Sequence, residues 1–102
     1  MTQTELCGIV YLFIYDAIQE LFPRTRSIAL APETSFKQDL NLDSLDGVDF
    51  LLYIEEHFGQ SIIDEDNEEE KAKFQKAMKG TIADMVRYLV ELTEQKGLKW
   101  VK

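Results

Sequence analysis

Asp39-Leu40-Asn41-Leu42-Asp43-Ser44-Leu45-Asp46 is the stretch on which the reading of this chain turns. Upstream of it, Pro32 and the polar run Glu33-Thr34-Ser35 disfavour helix, so residues 22 to 42 read as a long connection. Asp43 is a good helix N-cap, and Asp46 falls in the first turn that follows, where an acid suits the positive end of the helix dipole. A helix is therefore predicted from Ser44 to about Phe58, with Gly59 placed to end it. Ser44 would stand at the amino end of that helix, its hydroxyl turned away from the core and beside free N–H groups. Such a place suits a phosphate ester on Ser44. It does not suit a self-activated nucleophile, because the lone histidine, His57, lies roughly 20 Å along the same helix. No base is in reach of the hydroxyl. Taken alone, Asp-Ser-Leu is short and occurs often by chance, and on that triplet by itself Ser44 reads as a plain helix starter.

The helix carries a second signal. At a turn of about 100° per residue, Phe50, Leu51, Ile54 and Phe58 fall on one face and read as core. Leu45, Val48 and Leu52 form another apolar stripe next to Ser44, flanked by Asp46, Asp49 and Glu56. A helix in a small bundle has no need of a second apolar stripe ringed by acids. The pattern suits a docking surface, with apolar contacts for affinity and acids that steer basic partners. A wide core face in a tightly packed bundle is the competing reading.

Outward from this helix the chain is helical throughout. Leu6, Ile9, Val10, Phe13, Ala17 and Leu21 recur at three- and four-residue steps and predict a first helix over Gln3 to Leu21, stopped by Pro23. Phe36 and Leu40 are the expected anchors of the long connection. Glu68 to Lys79 predicts a third helix with Phe74, Ala77 and Met78 inward and supporting pairs Glu68–Lys71 and Glu69–Lys73. Thr81-Ile82-Ala83-Asp84 reads as a capping box for a fourth helix that ends near Gly97. Its inner face is Ile82, Met85, Val86, Leu89 and Val90. The tail from Leu98 to Lys102 either packs back or frays. No repeat and no convincing strand is present. The expected fold is all-α, a four-helix bundle of three main helices and a variable third, with a long loop between the first two, in a single domain over 1–102.

Composition limits the function classes. A chain of 102 residues with 45% apolar and 11% aromatic residues can build one modest core but hardly a deep catalytic cleft besides. Cys7 is the only cysteine, which excludes an internal disulfide and fits a reducing compartment. Cys7 sits in an apolar helical run and reads as a small hydrophobe. The run from Leu6 to Ile18 contains Asp16 and is too short to span a bilayer, and a signal peptide would want a base before it, where Glu5 stands. The chain is therefore expected in the cytoplasm, with no membrane insertion.

The net charge of −8 is unevenly spread. Twelve acids lie between Asp39 and Glu70 with no Lys or Arg among them, while the rest of the chain has more bases than acids. Such a field repels nucleic acid and anionic lipid and attracts basic protein surfaces. Asp64-x-Asp66-x-Glu68 has the opening spacing of a calcium loop, but Glu69 stands at the glycine position and Gln75 at the closing acid, so no metal site is expected. His57 on an acidic helix reads as solvated or capping, without a metal.

Phe36-x-x-Asp39-Leu40-x-x-Asp43-Ser44-Leu45-Asp46-x-Val48-Asp49, then Ile54-Glu55-Glu56-x-Phe58-Gly59 and Thr81-Ile82-x-Asp84-Met85-Val86-x-Tyr88-Leu89, together resemble the acyl carrier proteins. The resemblance covers residues 36 to 63 and 81 to 90, with the first helix agreeing in length and place. It implies that a phosphopantetheinyl transferase moves 4′-phosphopantetheine from coenzyme A to the Ser44 hydroxyl. The thiol of the arm then holds acyl groups as thioesters for fatty-acid, lipid or polyketide biosynthesis. It further implies a carrier that is not itself an enzyme, expected as a monomer. Asp43, Leu45, Asp46, Val48, Asp49, Leu52, Glu55 and Glu56 would form the surface for acyl-loading, elongating and acyl-transfer enzymes with basic docking faces. A carrier of an aminoacyl or other unusual acid, and an unmodified acidic interaction module, are the alternatives. Two departures stand out. Asn41 replaces the usual glycine before the motif, although Asn tolerates left-handed backbone. The segment between Ile63 and Thr81 is longer than is usual in the family, where a short third helix borders the acyl pocket, and this suggests a specialised carrier.

Overall fold

The computed structural model describes residues 2–100. Four α-helices follow one another: α1 (Gln3–Leu21), α2 (Ser44–Phe58), α3 (Glu68–Met78) and α4 (Ile82–Lys96). A 3-10 turn, Pro23–Thr25, follows α1. No strand occurs among the described residues, only an isolated antiparallel bridge between Ser35 and Thr81. The all-α bundle expected from the sequence is the fold, with α1 packed most extensively along α4 and α3 touching both α2 and α4.

The helix ends form where short side chains satisfy orphan amides. Thr2 accepts from the Glu5 N–H at the start of α1. Asp43 and Asp46 make a reciprocal capping box on α2, and Thr81 and Asp84 another on α4. Gly59 and Gly97 close α2 and α4 in left-handed geometry, with φ of 70° and 68°. Among the described residues Asn41 is the one non-glycine with positive φ, at 55°, so the turn before Ser44 keeps the backbone that asparagine permits. The third helix is shorter than expected by one residue, because Lys79 is its C-cap. Its N-cap is Asn67, whose side-chain oxygen accepts from the Glu69 and Glu70 N–H groups. The Lys71–Glu68 and Lys73–Glu69 pairs are present at 3.1 and 3.5 Å. Lys96 of α4 also reaches Glu70 at 2.7 Å, which ties the start of α3 to the end of α4.

The core runs through all four helices. In α4 the expected face of Ile82, Met85, Val86, Leu89 and Val90 is buried, joined by Leu92 and Thr93. In α1 the centre of the face is Val10, Ile14, Ala17 and Ile18, while Leu6, Ile9, Phe13 and Leu21 are only partly covered. The difference has a simple cause. The helix is apolar around most of its circumference, so periodicity alone does not locate the midline that α4 and α2 select. Cys7 is half-buried at the edge of this face.

Phe36 and Leu40 anchor the long connection, both essentially inaccessible. They have help from Phe22, Thr25, Thr34 and Leu42, all buried. The connection is also stitched to the start of α4. Phe36 N–H donates to the Gly80 carbonyl, and the amides of Ile82 and Ala83 donate to the carbonyls of Thr34 and Pro32. Three orphan amide and carbonyl groups of the α4 entry are thereby satisfied by backbone far away in sequence. A Cβ at Gly80 would collide with the Asp84 carboxylate that caps the helix, so this turn has room only for glycine unless Asp84 shifts.

The tail packs back as far as it is described. Trp100 is buried against Phe13, Phe58 and His57, and its indole N–H donates to the Thr93 hydroxyl at 3.1 Å. His57 is exposed but stacked, with ring centroids 4.7 Å from Phe13 and 5.7 Å from Trp100. It is a cover for aromatic surface more than a free surface imidazole. Val101 and Lys102 lie outside the described residues.

Candidate functional site

Ser44 is the first residue of α2 and is exposed. The connection delivers it there. Leu42 N–H donates to the Phe36 carbonyl and Leu42 is buried, so the chain is pinned to the core two residues before the helix. Asp43 then caps the helix, and the next side chain, Ser44, has nowhere to go but outward.

The sequence suggested free amides beside the serine hydroxyl. The structure gives most of that end to Asp43, whose carboxylate accepts from Asp46 N–H at 2.9 Å. Asp46 returns the bond to Asp43 N–H at 3.0 Å and pairs with Arg24 at 3.4 Å. The Asp43 carboxyl is held below the usual aspartate range, chiefly by the Asp46 amide, with lesser help from the Leu45 amide and the Arg24 charge. Asp84 is lowered in the same way by the Thr81 amide, and Glu70 by the Lys96 ammonium. Carboxyls whose folded pKa lies below the unfolded value stabilise the fold fully above about pH 4 to 4.5, and that contribution disappears as pH falls through the lowered values. Acid titration monitored by helix circular dichroism should therefore show a melting temperature that is flat near neutrality and falls below about pH 4. A melting temperature that rose on acidification would refute the role given to these caps.

The remaining predicted surface residues divide clearly. Leu45, Val48 and Leu52 are 74%, 49% and 55% exposed, and with Leu12 they are the exposed large hydrophobics of the described residues. Phe50 and Ile54 are buried and Leu51 and Phe58 half-buried, so α2 presents two apolar faces and buries one. Asp49 and Glu56 are exposed on the same helix. Glu55 has a structural duty, accepting from Ile62 N–H at 2.9 Å. Asp43 and Asp46 are likewise committed to the cap. Among the described residues, Asp49 and Glu56 are the acids of this predicted surface without a side-chain hydrogen bond or ion pair.

Two clefts meet at Ser44. One, of about 380 Å³, lies between α2 and α3 and is lined mostly by apolar groups, among them Gly47, Val48, Leu51, Ile63, Phe74 and Met78. Glu65, Asp66 and Lys71 add polar groups to it. The lengthened segment before Thr81 therefore supplies one wall of a cleft that contains Ser44. The second, of about 440 Å³, is more polar and brings Ser44 together with Lys37 and Lys79. Sequence reasoning missed this meeting, because 37, 44 and 79 are joined only by the fold.

Comparison with known proteins agrees with this geometry. The family described as "Phosphopantetheine attachment site" matches residues 13–66, more than half of the chain and all of α2. An acyl carrier protein of Thermosynechococcus vestitus is 50% identical over 42 residues, covering 41% of this chain and 52% of that protein. One from Rubrobacter xylanophilus is 42% identical over 62 residues, covering 61% of this chain and 65% of that protein. One from Clostridium perfringens is 32% identical over 85 residues, covering 80% of this chain and the whole of that protein. Fold and family match together define the class: an all-α chain with a phosphopantetheine attachment domain. It belongs to the acyl carrier protein family, whose members hold 4′-phosphopantetheine covalently. The residues here suit such a group: an exposed hydroxyl at a capped helix start, lining clefts of about 380 and 440 Å³. No helix among the described residues is long and apolar enough to cross a membrane.

Proposed function

We propose that the Ser44 hydroxyl is the attachment point and that the protein carries acyl intermediates for fatty-acid, lipid or polyketide biosynthesis in the cytoplasm, as a non-catalytic partner of other enzymes. The observation that carries this reading is an exposed serine at the start of α2, capped by Asp43 and flanked by an exposed apolar stripe. In the loading step, the Ser44 Oγ–P bond forms as the pyrophosphate bond of coenzyme A breaks. The nucleotide half departs and the serine proton passes to the transferase or to solvent. The lone histidine lies far along α2 and the neighbouring Asp43 and Asp46 carboxylates are engaged in the cap, which supports the need for a separate transferase. Once attached, the arm offers a thiol for thioester formation. The chain's own residues position the serine, present Leu45, Val48 and Leu52 for contact, and steer basic partners with Asp49 and Glu56, alongside Asp43, Asp46 and Glu55. The cleft between α2 and α3 is the place for an apolar cargo. Its unusually long wall supports a specialised carrier.

The test is loading. Incubation with coenzyme A and a broad-specificity transferase should add the mass of one arm, mapped to Ser44 by peptide analysis. A well-folded sample that gains nothing would refute the proposal. The docking surface has its own test. Asp49→Lys with Glu56→Lys should slow loading roughly tenfold at low ionic strength, with the gap closing as salt is added. These two acids are preferred to Asp46, whose reversal would also break the cap of α2. Unchanged rates at low salt would remove the steering role from the helix.

A further inference from the structure

Charge at Ser44 poses a problem that the second cleft answers. Residues 39 to 70 contain no Lys or Arg, and Asp43 and Asp46 both lie within two residues of the serine. The amide that would best meet an anion there, that of Asp46, already donates to Asp43. A phosphodiester on Ser44 adds one more negative charge to that corner. Its counter-charge has to come from outside the acidic segment. Arg24 is engaged by Asp46 and the Asn41 carbonyl, and Lys71 by Glu68. Lys37 and Lys79 are different. Both are exposed, both line the cleft that contains Ser44, and neither makes an ion pair among the described residues. Gln75 adds an amide to the same cleft, and Leu42 and Met78 give it an apolar part.

We propose that Lys37 and Lys79 bind the phosphodiester of the arm on Ser44, which seats the first part of the arm in this cleft. The proposal rests on Ser44 as the attachment point. A lysine ammonium is a compact point charge on a flexible stem, suited to a phosphodiester with a single charge. The two lysines come from separate elements, the connection and the end of α3. Loading would therefore link them across the mouth of the site and couple the arm to α3, the wall of the other cleft. An anionic group on a partner enzyme is the rival occupant, and it would leave the isolated carrier unaffected.

The experiment uses the full chain, wild type and Lys37→Gln/Lys79→Gln, each loaded with coenzyme A and a transferase and verified by intact mass. The phosphorus-31 resonance of the arm is then read at low salt and at about 0.5 M salt, where the Debye length shrinks to a few ångströms. In the wild type it should move with salt, and in the double variant it should sit at the high-salt position from the outset. The amide resonances of Lys37 and Lys79 should also shift on loading of the wild type. Coincident phosphorus resonances for loaded wild type and double variant at low salt would overturn the proposal. Failure of the wild type to gain mass would instead overturn the assignment of Ser44. Unfolding midpoints of the unloaded proteins should agree; if they differ, the single variants Lys37→Gln and Lys79→Gln serve in place of the double, each losing part of the salt response.

Discussion

Ser44→Ala should abolish loading completely while leaving the protein as stable as before. The two halves of this result have different physical origins. Loading requires an oxygen nucleophile at the head of α2, and alanine offers none. No neighbouring hydroxyl can take over, because the adjoining polar side chains, Asp43 and Asp46, are carboxylates engaged in the cap. Stability is untouched because Ser44 is exposed and makes no side-chain hydrogen bond of its own among the described residues. The N-cap is Asp43, one residue earlier, and alanine in the first turn is an excellent helix former. The free energy of unfolding should stay within about 0.5 kcal/mol of wild type. Residual mass gain on the variant would move the attachment point elsewhere. A large loss of stability would show that Ser44 is a structural starter of α2 after all. Asp43→Ala is the mirror control, expected to cost about 1 kcal/mol of stability through the lost cap while leaving the nucleophile in place.

What could be read from the sequence follows a physical boundary. The two capping boxes join residues three apart, and the left-handed positions at Asn41 and Gly59 depend on the residue type itself, so each is legible from a few letters. The exposure of Leu45, Val48 and Leu52 was legible for a related reason. A helix has a fixed angular period, and two apolar faces on one short helix cannot both be central to a small core. Asn67 was harder, because the surrounding run from Asp64 to Glu70 offers several residues able to cap a helix. The midline of α1 was hidden by its nearly all-round apolarity, which makes Ile14 and Leu6 look equivalent until α4 chooses between them. Contacts made only by the tertiary fold left no local trace. The pairing of Thr34 and Pro32 with the entry of α4, the seat of Trp100 among Phe13, Phe58 and His57, and the arrival of Lys37 and Lys79 beside Ser44 are all of this kind.

Phe36→Ala should be the most destabilising single change in the connection, at about 3–5 kcal/mol. Phe36 is fully buried and meets Phe50 of α2 edge-to-face, with ring centroids 5.8 Å apart. Truncation removes the transfer energy of the ring, leaves a cavity and forfeits that aromatic pair. The backbone of the same residue is a junction: its N–H donates to Gly80 and its carbonyl accepts from Leu42. The side chain thus holds together the start of α2, the start of α4 and the loop between α1 and α2. Against a total stability of about 5–15 kcal/mol for a domain of this size, the loss is a large share. In urea the midpoint should fall by roughly 1–5 M, given slopes of about 1–3 kcal/mol per M. Hydrogen exchange should show where the damage lies. The amides of Phe36, Leu42, Ile82 and Ala83 should lose protection under conditions in which those of central α1 keep theirs. Leu12→Ala, on an exposed apolar side chain outside the core, is the contrast and should change stability by no more than about 0.5 kcal/mol. A cost at Phe36 below about 1 kcal/mol would mean that the backbone bonds to Gly80 and Leu42 hold the connection without the ring. Ser44 would then owe its position to Asp43 and Leu42 alone.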